Sequence, residues 1–164
     1  MSTDRALLDG EGELIRELYP KLRRFAAVMA PLDFDPDDLV QEALVRTLRS
    51  RRLSELDYPA AYLWKAMCSL VADHGRTNGQ RRVALSRLAP IEPHRDAYPS
   101  DLAVLEALTP RDRALLYLHD VEGLPYRDIA GVIGGREASL RRAATRARKS
   151  LRRLLTEGEV DATN

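Results

Sequence analysis

The sequence predicts an all-α protein built from two small helical domains joined by a flexible linker, and three observations carry that prediction. Apolar residues recur at helical spacing along both halves of the chain. Neither half shows alternating, strand-like runs bounded by turn dipeptides. Pro90, Pro93 and Pro99 fall within a stretch from Val83 to Ser100 that lacks sustained periodicity, which reads as a connection rather than an element. The expected units are therefore 12–82 and 102–156, with the linker at 83–101.

Length and composition agree with two small cores. The chain has 164 residues, of which 45% are hydrophobic and 31% charged, enough apolar material to pack and too much for a disordered chain. Cys68 is the single cysteine, so neither an internal disulfide nor a cysteine-rich zinc site can form within it. The apolar run Phe25 to Leu32 is far shorter than the ~20 residues a membrane helix needs, and the N-terminus lacks a signal-peptide core. A cytoplasmic protein without membrane insertion is expected. The net charge of +1 hides a strong asymmetry. From Asp33 to Glu42 there are five acids and no base, whereas Arg136 to Arg153 holds eight bases against Glu137 alone. Those segments suit different partners. Nearly all the bases are arginine, whose forked donors suit phosphates and guanines.

Residues 1–11, with little to bury, read as a mobile tail. Asp35-Pro36-Asp37-Asp38 marks a helix start: a capping carboxylate, proline at the first helical position, then acids at the positive end of the dipole. Leu39, Val40, Ala43, Leu44, Thr47 and Leu48 then form the expected buried stripe, leaving Asp38, Gln41, Glu42, Val45 and Arg49 mainly outside it. A further helix starts near Pro59, with Tyr62, Leu63, Ala66, Met67, Leu70 and Val71 as its stripe and Trp64, Lys65, Cys68 and Arg76 nearer the rim. Leu105 to His119, Pro125 to Ile133 and Glu137 to Leu155 read as three more helices, separated by Gly123 and by Gly134-Gly135. On the last, Leu140, Ala144, Ala147, Leu151 and Leu154 face inward. Arg141, Arg142, Thr145, Arg146, Lys149, Arg152 and Arg153 largely face outward. A short helix, a turn and a basic helix is the layout that places one helix in a DNA major groove. The small alanines of its apolar face suit lipid poorly, which favours nucleic acid over a membrane surface.

These residues carry a resemblance to the extracytoplasmic-function sigma factors of the sigma-70 family, specificity subunits of bacterial RNA polymerase. Leu18-Tyr19-Pro20-Lys21-Leu22-Arg23-Arg24-Phe25, followed by Asp37-Asp38-Leu39-Val40-Gln41-Glu42-Ala43 and Arg46-Thr47-Leu48, is similar to the family's polymerase-docking helices. The resemblance implies that Asp38, Gln41, Glu42 and Val45 meet the clamp helices of the largest polymerase subunit, and it adds the polymerase flap as a second partner surface. Ala61-Tyr62-Leu63-Trp64-Lys65 through Ser69, Leu70, Asp73 and Arg76 resembles the family's aromatic helix that opens the minus-ten promoter element. It implies that Trp64, Lys65, Asp73, Arg76, Arg81 and Arg82 lie near that DNA, with Arg87 also able to track its backbone, while the Arg51 to Pro59 connection captures a flipped base. The stacking chemistry is sound, because aromatic faces accept unstacked bases.

Leu105-Glu106-Ala107-Leu108-Thr109-Pro110-Arg111, Val121-Glu122-Gly123-Leu124, Tyr126, Asp128-Ile129-Ala130, Ile133-Gly134 and Arg146-Ala147-Arg148 resemble the family's minus-thirty-five helix-turn-helix. The resemblance implies duplex binding by Arg136, Arg141, Arg142, Thr145 and Arg146. Pro125 stands where a serine cap is usual, and Gly135 and Arg136 stand where an apolar residue and another serine cap are usual. Without that apolar side chain and that cap, the recognition helix is expected to be held more loosely. The resemblance names the domains as sigma regions 2 and 4, implies no cofactor, metal or catalytic site, and adds an anti-sigma protein to the partners.

Other functions leave weaker traces in the residues. His74, His94 and His119 show no repeated metal-ligand spacing, and His119-Asp120 alone is a fragment of a phosphohydrolase pattern. No glycine-rich phosphate loop or nucleophile elbow is present. A conventional helix-turn-helix repressor leaves the acidic and aromatic helices without a role. A sigma-like decoy that titrates an anti-sigma protein without initiating transcription stays open.

Overall fold

The computed structural model describes the backbone of residues 2–31, 34–85, 105, 107–161, and side chains over 10–31, 34–77, 105, 107–156. The chain divides into two compact units, Met1–Pro93 and His94–Asn164. All regular structure among the described residues is helical. Of the expected linker, 83–85 close a helix and 86–101 lie outside the described residues.

The first unit consists of α1 (Ser2–Met29), α2 (Pro36–Leu48), a 3-10 turn (Leu53–Glu55) and α3 (Pro59–Leu85), with the three long helices packed on one another. Helix α1 runs through Pro20, which lacks the N–H of an internal helical residue. Beyond it, Leu22, Phe25, Ala26 and Met29 are fully or almost fully buried. Burial of each larger side chain contributes roughly 1.5–3 kcal/mol, enough to offset the ~3 kcal/mol that an internal proline costs. The expectation of a tail over 1–11 is corrected: residues 2–11 are the first turns of α1. Glu11 shows one reason, because its carboxylate accepts the Leu53 and Ser54 backbone N–H groups from 42 and 43 residues away. That partner lies too far along the chain to be read locally.

Helix α2 begins as its cap chemistry dictates. The Asp35 carboxylate accepts the Asp37 N–H at 2.7 Å, Pro36 occupies the first turn, and Asp37 and Asp38 lie at the positive end of the dipole. Asp37 also joins α2 to α1, accepting from the Tyr19 hydroxyl at 2.6 Å and from Arg23 Nε at 2.9 Å. These two bonds hold its carboxyl below the usual carboxylate range, Tyr19 having the larger effect. A lowered folded pKa adds stability above the ordinary value of about 3.9, and that stability is lost as pH falls through the folded value. Tyr19→Phe is therefore expected to cost about 1 kcal/mol at neutral pH. Urea unfolding followed by the fluorescence of Trp64, the sole tryptophan, should show the deficit at pH 7 and a narrower one near pH 3.

Leu39, Val40, Ala43, Leu44 and Thr47 form the buried stripe of α2, and the Thr47 hydroxyl satisfies itself on the Ala43 carbonyl at 2.8 Å. Leu48, expected within that stripe, is 42% exposed at the last residue of the helix. On α3 the core residues are Leu63, Trp64, Met67 and Val71. Cys68 is half-buried.

The first α-helix of the second unit starts later than the sequence suggested. Thr109 caps α4 (Pro110–Leu116), accepting the Asp112 N–H and donating to the Asp112 carboxylate. The expected helix from Leu105 is thus corrected to one from Pro110: the threonine cap and the following proline set the start. A π turn, Tyr117–Val121, continues α4, and Gly123 at φ +70° reverses the chain. Helices α5 (Tyr126–Ile133) and α6 (Glu137–Asp161) complete the unit. Leu115, Leu118, Ile129, Leu140 and Ala144 form the centre of its core. Leu151 and Leu154 are only half-buried, as α6 runs past the end of that core.

Candidate nucleic-acid and polymerase interfaces

In the first unit, Asp38, Gln41, Glu42 and Val45 lie on one wall of an open cleft of about 590 Å³ between α2 and α3. Phe34, Leu70, Asp73, His74 and Thr77 complete it. The Phe34 and His74 rings meet edge to face at 5.1 Å. Val45 is 44% exposed beside the two carboxylates. An apolar side chain rimmed by acids suits a basic helix that offers an aliphatic side chain between its cations. The structure also brings Asp73 to this cleft, where it pairs with Arg76 and lies 3.8 Å from Arg46. Asp73 and Arg76 were both expected near the minus-ten DNA, and here they bind one another.

The aromatic assignments on α3 are reversed. Trp64 is 3% exposed, its ring tilted against Phe25 at a 5.8 Å centroid distance, with Lys21 Nζ 5.1 Å from the ring centre. A base cannot stack on a ring enclosed in this way, so the expected stacking role of Trp64 is corrected to a core role. Tyr62, expected in the core, is 36% exposed and has the Arg51 guanidinium 5.8 Å from its ring. Tyr58 is 79% exposed just before α3. Tyr58, Tyr62 and Arg51 thus form the exposed aromatic and cationic edge that single strands favour. Lys65 is exposed. The side chains of Arg81 and Arg82, and all of Arg87, lie outside the described residues.

In the second unit, α5, the Gly134-Gly135 turn and α6 form a helix-turn-helix. Pro125 caps α5 without a side-chain bond, as the sequence implies, and its carbonyl accepts the Asp128 and Ile129 N–H groups. The expected loosening at Gly135 meets a specific interaction. Arg111 on α4 donates to the Gly134 carbonyl at 2.7 Å, and its guanidinium stands 2.8 Å from where a Cβ on residue 135 would lie. An arginine from α4 therefore fills the space beside residue 135, where the resemblance implies an apolar side chain. Gly134 and Gly135 have φ of +73° and +104°, conformations that L side chains rarely adopt. Gly135→Ala is expected to lower the stability of this unit by about 1–3 kcal/mol, read as a lower thermal midpoint of the full chain.

Arg136, Arg141, Arg142, Thr145 and Arg146 are all exposed along the start of α6. Leu140, Ala144 and Ala147 are buried opposite them. Arg141 is held in place, donating to Glu137 one turn back and lying 5.5 Å from the Tyr126 ring. His119 stacks on Tyr126 at 4.1 Å. Arg148 grips Asp120 through two bonds, at 3.1 and 2.5 Å, and reaches the Tyr126 hydroxyl at 3.5 Å. The Asp120 bonds in particular raise its pKa, fixing its charge. This is a structural clamp between the π turn, α5 and α6 that sequence reasoning misses. Its partners are 28 and 22 residues away, and only the acid-to-base complementarity hints at it.

The first unit is thus a helical bundle bearing an acidic cleft, and the second carries a cationic helix-turn-helix. Residues 102–151 match the family described as "Sigma-70, region 4". The chain is 28% identical over 166 residues to the ECF RNA polymerase sigma factor SigE of Mycolicibacterium smegmatis, covering 94% of this chain and 65% of that protein. It is 31% identical over 133 residues to SigJ of Mycobacterium tuberculosis, covering 71% and 42% respectively. With the RNA polymerase sigma-E factor of Streptomyces coelicolor the identity is 27%, over 92% of this chain and 88% of that one. The chain thus spans less than two thirds of the length of the first curated relatives it matches. The fold is shared with the sigma factor RpoE of Bartonella quintana, solved with the anti-sigma factor NepR, at a TM-score of 0.69 and 20% identity, covering 88% of this chain and 96% of that one. Residues 102–151 thus carry a sigma-70 region 4 domain, and over most of its length the chain is similar to sigma factors of the extracytoplasmic-function type.

Proposed function

We propose that this chain binds core RNA polymerase and directs promoter-specific transcription initiation, with no catalytic site of its own. One observation supports this above the others: a single chain carries both an acidic and apolar cleft and a cationic recognition helix, each built from exposed residues. The first unit, over about 12–82, docks on the clamp helices of the largest polymerase subunit through Asp38, Gln41, Glu42 and Val45. Its Tyr58, Tyr62 and Arg51 edge, with Lys65 nearby, receives the opened minus-ten strand. The second unit, over about 102–156, reads the minus-thirty-five duplex through α6 and meets the polymerase flap. An anti-sigma protein that covers these faces is the regulatory partner this reading implies.

Such a protein works in the cytoplasm, where the polymerase is, and among the described residues no helix is long and apolar enough to cross a membrane. The decisive experiment is run-off transcription with purified core polymerase and a genomic promoter library. Discrete transcripts that require this chain support the reading. Tight binding to an anti-sigma protein with no transcript from any fragment would make the chain a decoy instead.

A further inference from the structure

The ten residues between α2 and α3, 49–58, carry Arg51 and Tyr58 and end beside Tyr62. They are pinned at their centre from two sides. The Leu53 side chain is fully buried beneath the loop. Above it, Glu11 closes both of its oxygens onto the loop backbone: one accepts the Leu53 N–H at 3.0 Å, and the other accepts the Ser54 N–H at 2.9 Å together with the Ser54 hydroxyl. On either side of the Leu53 and Ser54 amides that Glu11 holds, Arg51, Arg52, Asp57 and Tyr58 are exposed. The loop therefore has a fixed middle and two short arms that face solvent.

We propose that Glu11 is a positioning residue for base selection, holding the 49–58 loop in the shape in which its arms and Tyr62 receive one unpaired promoter base. The inference rests on the proposed role of the first unit at opened DNA. Fixing a backbone residue costs roughly 1–2 kcal/mol, so a loop ordered before binding spends less of its interaction energy on ordering itself. Glu11 does not need to touch DNA for this. Its charge is engaged with backbone N–H groups, which distinguishes it from an acid that merely repels phosphate. Burial alone would raise its pKa, yet the Ser54 hydroxyl and the Ser54 and Leu53 amides outweigh that and hold it below the ordinary glutamate value.

The test uses the full chain assembled with core polymerase and a pool of promoter fragments randomised through the melted element, with transcripts sequenced to give base preference. Glu11→Ala and Glu11→Gln are compared with the parent. Glutamine keeps the size but replaces one accepting oxygen with an NH2 donor and removes the charge, so it cannot reproduce the arrangement in which one oxygen takes the Leu53 N–H and the other takes the Ser54 N–H and hydroxyl. In both variants the steepest preference in the melted element is expected to fall about tenfold, the equivalent of one ordered residue, while core assembly is unchanged. Hydrogen exchange on the free chain should show the Leu53 and Ser54 amides deprotected, with the amides of the α1–α3 core still protected.

Parent-like base preference in both variants overturns the inference and leaves the promoter-opening reading intact. Loss of protection throughout α1–α3 overturns it too, by making Glu11 a general structural residue. Higher duplex affinity in Glu11→Gln with unchanged preference would show a simple charge effect and overturn it as well. If the parent itself selects no base, the promoter-opening reading falls, and the inference with it.

Discussion

Asp38→Lys combined with Glu42→Lys is expected to weaken assembly with core RNA polymerase about a hundredfold, with the helical content of the chain unchanged. Both carboxylates are exposed on the α2 wall of the cleft, so replacing them costs the bundle little beyond the favourable place of Asp38 at the positive end of the α2 dipole, about 0.3–1 kcal/mol. Close charge pairs across an interface are worth roughly 1.5 kcal/mol or more each, and two of them correspond to about a hundredfold in affinity. The loss should be greatest at low salt, because reversed charges also slow the steered encounter. Val45→Ala in the same assay separates the apolar contribution, which salt does not screen. Measured by competition between labelled and unlabelled chain for core polymerase, parent-like assembly of the double lysine variant would remove the cleft from the docking surface. Asp38 belongs to the first turn of α2, yet the N-cap bond of that helix is made by Asp35, so capping survives the reversal.

That separation between cap and docking face explains why α2 is so legible in the sequence. Its start depends on Asp35, Pro36 and Asp37, all within three residues, and its exposed side follows from the 3.6-residue period. Helix α6 is legible for the same reason, its alanines and Leu140 alternating with arginines at helical spacing. Helix α3 is legible only in part. Leu63, Met67 and Val71 of the expected stripe are buried, but the stripe also takes in Tyr62, Ala66 and Leu70, whereas the buried face continues through Trp64, the largest side chain. Weighting the stripe by side-chain volume moves Trp64 inward and Tyr62 to the edge. Other features lie beyond any local reading. Glu11 meets a loop 42 residues later, Arg111 meets a carbonyl 23 residues later, and Arg148 meets Asp120 across 28 residues. Each is a polar bond between elements, which periodicity does not encode and which decides how a loop or turn is held.

Removing Arg136, Arg141, Arg142 and Arg146 should separate two kinds of DNA recognition on one helix. Deleting one phosphate-binding cation flattens the salt dependence by about 0.9 in log–log slope and lowers duplex affinity about fivefold at 0.15 M salt. If Arg136, Arg142 and Arg146 bind phosphates, their triple alanine variant binds about a hundredfold more weakly, nearly equally on every sequence. Arg141 is expected to behave differently. Its guanidinium is already oriented by Glu137 and the Tyr126 ring, so little rotamer freedom remains to be lost when it meets a base edge. Arg141→Ala should cost about 1–3 kcal/mol on the preferred duplex and much less on others. Arg141→Lys sharpens the distinction, because it keeps the charge and loses the fork. A base-reading Arg141 requires that the lysine variant lose sequence preference while its salt slope stays at the parent value. A phosphate-binding Arg141 requires the reverse, with preference retained in the lysine variant and the slope reduced only in the alanine variant. Binding to a promoter duplex series at several salt concentrations reads both quantities at once. Parent-like affinity and slope in all four single alanine variants would exclude α6 as the DNA-reading helix.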